Sequence, residues 1–368
     1  MVVCGLAMQQ SFAQKTTPQE YYMLVGTYTQ KTSEGIYVYK FNTETGDFSL
    51  VNKATDIKNP SFLAVSPDEK FVYSVAEESG GEVVSFAFDK ANAALKKLNT
   101  QSSGGAHPCH VELDKTGKWV FVGNYTGGNL SVFPIKADGS LAVNTQILQH
   151  EGKSVNEARQ EKPHVHSVNI SPDNQHLFVP DLGIDKVVAY DFNAKTGKVQ
   201  PSNPASIKVV AGSGPRHFTF HPNQKFGYVI QELNATITAF AYKNGTLKQI
   251  QVVSTLPAGF TGKNSCADIH ISEDGRFLYG SNRFHDTLVI FEINPKTGKL
   301  TLVGEQPVNG KTPRNFSIAP NGKFVLVANQ DSDNITIFKR DAKTGKLETT
   351  GKEIAVSMPV CIKWVNVK

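Results

Sequence analysis

SPDEKFVYSV, beginning at Ser66, and APNGKFVLVA, beginning at Ala319, are two copies of one phrase. Between them lie DKTGKWVFVG at Asp114, SPDNQHLFVP at Ser171, HPNQKFGYVI at His221 and SEDGRFLYGS at Ser272. Each joins a polar tight turn to alternating apolar residues, so each reads as a hairpin turn entering a β-strand. A phrase recurring roughly every fifty residues in a chain of strand-like patterns predicts a β-propeller.

Working outward from Ser66, one unit contains four strands: SFLAVSP from Ser61, KFVYSVAEE from Lys70, EVVSFAFD from Glu82, and a fourth near Leu95. The hairpin before the fourth strand recurs seven times, as TETGDF (Thr43), KANAAL (Lys90), ADGSL (Ala137), AKTGKV (Ala194), NGTL (Asn244), PKTGKL (Pro295) and AKTGKL (Ala342). Six of the seven offer a glycine for the positive φ of a tight turn. The first unit starts at its second strand, YYMLVGTYT from Tyr21, and its missing inner strand is PVCIKWVNV from Pro359. The expectation is an all-β, seven-bladed β-propeller of four-stranded antiparallel blades over residues 21–368. The C-terminal strand joins the N-terminal blade and closes the ring, which removes two open sheet edges. Residues 147–163 form the one conspicuous insertion, and the WD dipeptide of the commonest propellers is absent.

Composition narrows the function. The 368 residues are 39% hydrophobic and 19% charged, with a formal net charge of +5. The lysines are spread over turns rather than massed, so no stripe suited to nucleic acid is expected. No apolar run approaches the roughly 20 residues of a membrane span. Residues 1–20 read as a disordered tail or the remnant of an export signal: Ser11-Phe12-Ala13 resembles a cleavage site, but a basic n-region is missing. The compartment is thus cytoplasmic or periplasmic. Cys109, Cys266 and Cys361 fall at inner-strand starts and read as buried small hydrophobes. No glycine fingerprint opens a helix and no GxSxG elbow is present, so neither a dinucleotide cofactor nor a serine hydrolase is expected.

Laying the units in register shows where polar residues break the pattern. The position of Ser61 is held by Cys109, His166, Arg216, Ala267, Arg314 and Val360 in the other units. The next position carries Phe62, His110, Ser167, His217, Asp268, Asn315 and Cys361. At the end of the second strand, Glu77 aligns with Tyr125, Leu182, Glu232, Arg283 and Gln330, preceded by a ring that includes Asn124 and Asp181. In an up-and-down blade the first strand's start and the second strand's end lie side by side. His166, Arg216, Glu232 and Arg283 are therefore expected to converge on one channel mouth. Arg314, His110, His217, Asp268, Asn124 and Asp181 are the candidate substrate-binding residues around them. Three arginines facing one concavity repel one another unless an anion joins them, so an anionic ligand is expected. His110, His217 and Asp268 lack short-range ligand spacing, and no metal is expected there. His107 and His176 are placed on solvated loops.

These motifs resemble the seven-bladed lactonase family of the 6-phosphogluconolactonase type, to which carboxymuconate-cyclising enzymes are related. The resemblance spans residues 21–367 and is carried by LVGTYT at Leu24, GGAHPCHVELD at Gly104, VGNYTGGNLSVFPI at Val122, RQEKPHVHSVNISPD at Arg159, GSGPRHFTFHP at Gly212, SEDGRFLYGSNRFHDTL at Ser272 and TPRNFSIAPNGKFVLVANQ at Thr312. The family's functional tetrad of His, Arg, Glu and Arg falls on His166, Arg216, Glu232 and Arg283. One departure is CADIHIS, where Asp268 stands in place of a longer glutamate.

The resemblance implies hydrolysis of a small anionic sugar δ-lactone, 6-phosphogluconolactone first, by water attack on the ring ester. His166 or Glu232 would serve as base, with Arg216 and Arg283 clamping the oxyanion. Arg314 with Lys162 or Lys311 would hold a phosphate. Two alternatives stand beside it: a non-catalytic propeller binding an anionic ligand or protein partner at its channel mouth, and a lactonase or cyclase acting on a non-phosphorylated lactone. A mere binder would need the arginines but no histidine base. Oligomeric state leaves no trace in the sequence.

Overall fold

The computed structural model describes residues 19–368; the anticipated tail over residues 1–20 lies outside them but for its last two residues. The described strands form seven four-stranded antiparallel sheets. In the first blade, Pro359–Asn366 is the inner strand, followed by Glu20–Thr27, Ile36–Asn42 and Phe48–Ala54. The inner strands of the other six are Leu63–Val65, Pro108–Leu113, Asn169–Ile170, Pro215–Phe220, Ser265–Ile271 and Pro313–Ile318. Neighbouring blades touch all around the ring, which makes this a seven-bladed propeller clasped by its own chain ends. Among the described residues no helix is long and apolar enough to cross a membrane.

The recurring phrase is explained by how blades stack. Its first aromatic is a seat for the next blade's hairpin. Gly139 lies on Phe71, Gly197 on Trp119, Gly298 on Phe226 and Gly345 on Phe277, each with positive φ and so close that a Cβ would overlap the ring. Tyr73, Tyr228 and Tyr279 then donate to the carbonyls of Gly139, Gly298 and Gly345 at 3.0, 2.9 and 2.7 Å. The one hairpin without a glycine carries Ala93 at φ 51°. His176 belongs to the same set, contrary to its expected place on a loop. It opens the strand His176–Asp181, bonds Asp191 at 3.1 Å and seats Gly245. The apolar clusters straddle the seams: Met23, Val25 and Phe41 of the first blade, for example, pack on Leu326, Ile335 and Ile337 of the seventh. Cys109, Cys266 and Cys361 are buried and free.

The inner strands share a distortion that positions the chemistry. Pro108 pairs with Asn124 and His110 with Gly123, so Cys109 is an extra residue. The same one-residue bulge sets off Arg216 between Pro215 and His217, Arg314 between Pro313 and Asn315, and Val360 in the closing strand. In the fourth blade the bridge Val165–Asp181, followed by Asn169–Phe178, leaves room for one extra residue at the height of His166. A bulge re-aims side chains and increases the local twist. It explains why successive residues such as Arg216 and His217 both reach polar partners at the axis, where strict alternation would send one of them away.

Candidate active site

A cavity of about 480 Å³ opens at one channel mouth, lined in part by Glu77, Cys109, Tyr125, Arg159, His166, Glu232, Lys263, Arg283 and Arg314. Arg216 lies directly beneath, in a narrow extension that also touches His166 and Arg314. The four residues expected to converge do so.

Glu232 is the hub. Its carboxylate meets Arg216 Nε at 2.9 Å, Arg283 Nη2 at 3.1 Å and Arg159 Nη2 at 2.6 Å, and is only 4% exposed. Burial alone would raise its pKa, but Arg283, Arg216 and Arg159 overwhelm that and hold it far below the usual carboxylate range. Burial and repulsion from Arg314 pull Arg216 down; burial also draws Arg283 to about 10, against the pull of Glu232. Both remain charged at neutral pH. Arg216 donates through Nη1 to the Ala267 carbonyl at 2.7 Å, and Arg283 donates through Nε and Nη2 to Ser265 and Cys266. Arg216 Nη2 and Arg283 Nη1 meet no acceptor among the described residues, so each keeps a free N–H pair.

His166 sits beside this hub with Nε2 3.8 Å from Glu232 Oε2, too long for a hydrogen bond. Its Nδ1 faces Cys109 Sγ at 3.7 Å. Burial keeps the Cys109 thiol protonated, and its S–H has carbonyl acceptors in Val165 and His166. Burial first, then Arg216, His217 and Arg314, drive the His166 pKa well below its ordinary value, so the imidazole is neutral.

His217 and Asp268 lie below the cavity rather than on its wall. Arg216 Nη1 approaches His217 Nε2 at 3.2 Å, and a guanidinium can only donate. Nε2 is therefore the acceptor, and Nδ1 carries the proton that it donates to Asp268 at 2.8 Å. Burial, with Arg216 next, lowers the His217 pKa to about 4. Asp268 also accepts from His270 at 2.9 Å and from Asn315, so its shorter side chain is spent on holding the channel. His110 stacks on Phe62 at 4.2 Å and meets His217 edge-on. These three support the floor of the site and do not face a ligand in the wide cavity.

Asn124 and Asp181 do not reach the cavity at all. A strand end that points Tyr125 or Glu232 toward the axis points the preceding residue the other way. Asn124 bonds the Ser103 carbonyl and Asn129, while Asp181 caps Gly183 and His164 N–H groups and pairs with His150 at 2.7 Å. Both are fully buried loop fasteners. Lys162 donates to the Thr126 carbonyl outside the cavity, and Lys311 is exposed away from it. The cations at the rim are instead Arg159 and Lys263, which the repeat register could not reveal. Arg159 comes from the insertion, whose presence in a single unit was its only signal; Lys263 comes from the loop before Ser265. Five cationic side chains thus face two carboxylates, Glu77 and Glu232, in and beneath one cavity.

The family model described as lactonase, 7-bladed beta-propeller, matches residues 22–364. The 6-phosphogluconolactonase of Formosa agariphila is 42% identical over 81% of this chain and 86% of its own. That of Bacillus subtilis is 37% identical over 94% of this chain and 99% of its own. The solved structure of the Pseudomonas aeruginosa periplasmic gluconolactonase superposes with a TM-score of 0.91 at 37% identity, covering 95% of this chain and 100% of that one.

Proposed function

The chain belongs to the family of seven-bladed β-propeller lactonases, and we propose from that premise that it hydrolyses a sugar δ-lactone, 6-phosphogluconolactone first, with His166 as the base. The observation that carries the assignment is a neutral buried imidazole beside a carboxylate pinned by three arginines. Glu232 is too strongly ionised to take a proton from water; its part is to fix Arg216 and Arg283. With Nδ1–H directed at the Cys109 sulfur, His166 Nε2 keeps its lone pair for a water on the cavity side.

Water adds to the ring carbonyl and gives one proton to His166 Nε2. The carbonyl oxygen becomes an oxyanion received by the free N–H groups of Arg216 and Arg283, which need no reorganisation to meet it. An imidazolium between arginines is costly, and the oxyanion forming between the same groups offsets that cost. Collapse expels the ring oxygen, which takes the proton back from His166. The acid product then ionises, so each turnover releases one proton.

The net positive charge of the cavity favours a phosphorylated substrate, with Arg159 and Lys263 at the rim for the phosphate. A second reading has one specific support: the gluconolactonase of Pseudomonas aeruginosa is periplasmic, and an exported enzyme would meet an unphosphorylated lactone. Purified protein given fresh δ-gluconolactone and its 6-phosphate in a pH-stat separates the readings. Proton release above the spontaneous rate on either lactone supports the enzyme, and the ratio of the two kcat/KM values selects the substrate. Spontaneous rates on both would refute it. Fractionation of the source cells assigns the compartment.

A further inference from the structure

Glu77, three blades from Glu232, and Arg314, two blades from it, line the cavity without an ion pair among the described residues. Glu77 accepts from Tyr28 Oη at 2.9 Å and from Ser61 Oγ, both on the same oxygen, Oε2. Its Oε1 meets no donor among the described residues, and the side chain lines both the cavity and its narrow extension. Arg314 lines the same two spaces, yet it makes no hydrogen bond or ion pair among the described residues. Its guanidinium rests on the face of Tyr28, 5.4 Å from the ring centre. Tyr28 is thus a spacer that gives its hydroxyl to the carboxylate and its ring face to the cation. Glu77 and Arg314 lie within each other's field without joining.

An acceptor and a donor set that the protein leaves half-satisfied on the wall of a concave site are open to a ligand that completes both. The complementary group offers a donor and an acceptor on neighbouring atoms, which is what a vicinal diol or an α-hydroxy carbonyl presents. A lactone bearing a further carboxylate would instead put like charge against Glu77. We infer that Glu77 and Arg314, held apart by Tyr28, form a subsite for the hydroxyl-bearing face of the lactone. A ring hydroxyl donates to Glu77 Oε1, and an adjacent oxygen accepts from Arg314. This rests on the lactone-hydrolase reading and adds to it the pair of residues that reads the sugar's ring hydroxyls while its anionic end lies toward Arg159 and Lys263.

The test compares δ-gluconolactone with δ-valerolactone, which has the same ring size and no hydroxyls, on wild type, Glu77→Ala, Glu77→Gln and Tyr28→Phe. The quantity read is the ratio of the two kcat/KM values, in which the chemical step common to both lactones cancels. Loss of a hydrogen bond to a charged group predicts that Glu77→Ala lowers this ratio about 10- to 150-fold. Smaller drops are expected for Glu77→Gln, which keeps a neutral acceptor, and for Tyr28→Phe. An unchanged ratio overturns the subsite, including the case in which both lactones slow equally. Should Glu77→Ala not fold by circular dichroism, Glu77→Gln and Tyr28→Phe carry the same comparison. If wild type hydrolyses neither of these nor the 6-phosphate of δ-gluconolactone, the lactonase reading fails separately. Calorimetric binding of gluconate then decides the subsite: weaker binding to the Glu77 variant supports it, and equal binding overturns it.

Discussion

Replacing Glu232 with glutamine removes one charge, changes almost no volume, and leaves three guanidiniums around a neutral amide. Arg159 is 42% exposed at its side chain, so its share of the loss is small, on the order of 1 kcal/mol or less. Arg216 and Arg283 are 2% and 8% exposed and cannot turn to water. Stranding buried charges of this kind costs about 3–5 kcal/mol, a large part of the roughly 5–15 kcal/mol that stabilises a domain. The pH dependence has a definite sign. The folded pKa of Glu232 is depressed far below its unfolded value of about 4.3. Its contribution is therefore fully present above that pH and drains away as the pH falls toward the folded value. Urea unfolding of both proteins from pH 7 to pH 3 should show a gap of about 3–5 kcal/mol at pH 7 that narrows below about pH 4. Added phosphate should narrow it too, because an anion replaces the lost carboxylate. A gap under about 1 kcal/mol at pH 7, or one constant down to pH 3, would refute the description of Glu232 as the counter-charge that assembles the arginines.

His166→Ala should lose at least about 10²–10⁴-fold in lactone hydrolysis while keeping the wild-type circular dichroism spectrum; near-wild-type turnover removes His166 from the chemistry. Because its pKa is lowered by burial and by Arg216, kcat/KM should be flat through neutral pH and fall only on the acid side. The acid limb of kcat should lie higher, since bound anionic lactone offsets the arginines. A kcat/KM limb at or above an ordinary histidine value of about 6.5 contradicts this. Arg159→Ala should cut kcat/KM on the 6-phosphorylated lactone at least about tenfold more than on the plain lactone, measured in the pH-stat; equal losses would place the phosphate elsewhere.

The sequence displayed the repeat because stacking favours it: six of the seven hairpins set a glycine on an aromatic ring of the neighbouring blade, so Phe71 and Gly139 return at fixed spacing. The closing strand at Pro359 was legible because the first unit lacked one. The same ruler located His166, Arg216, Glu232 and Arg283, since residues at equal height in neighbouring blades meet at one mouth. It gave height but not direction, and so it placed Asn124 and Asp181 in the site although they face the seams. Arg159 and Lys263 belong to segments with no counterpart in other units, where a repeat has nothing to say. The bulges escaped notice because the copies that carry one carry it at the same place, and a shared insertion leaves an alignment undisturbed.

Those bulges separate architecture from chemistry at the level of a single codon. Arg216 and Arg314 are supernumerary in their strands: deleting either would leave an unbroken ladder, a propeller of the same shape, and a mouth missing a guanidinium. Val360 holds the same rank in the first blade, lines the narrow space beneath the cavity and contributes no charge. It is a blank position, already aimed inward, at which a lineage or a designer can write a new functional group without asking the scaffold to change.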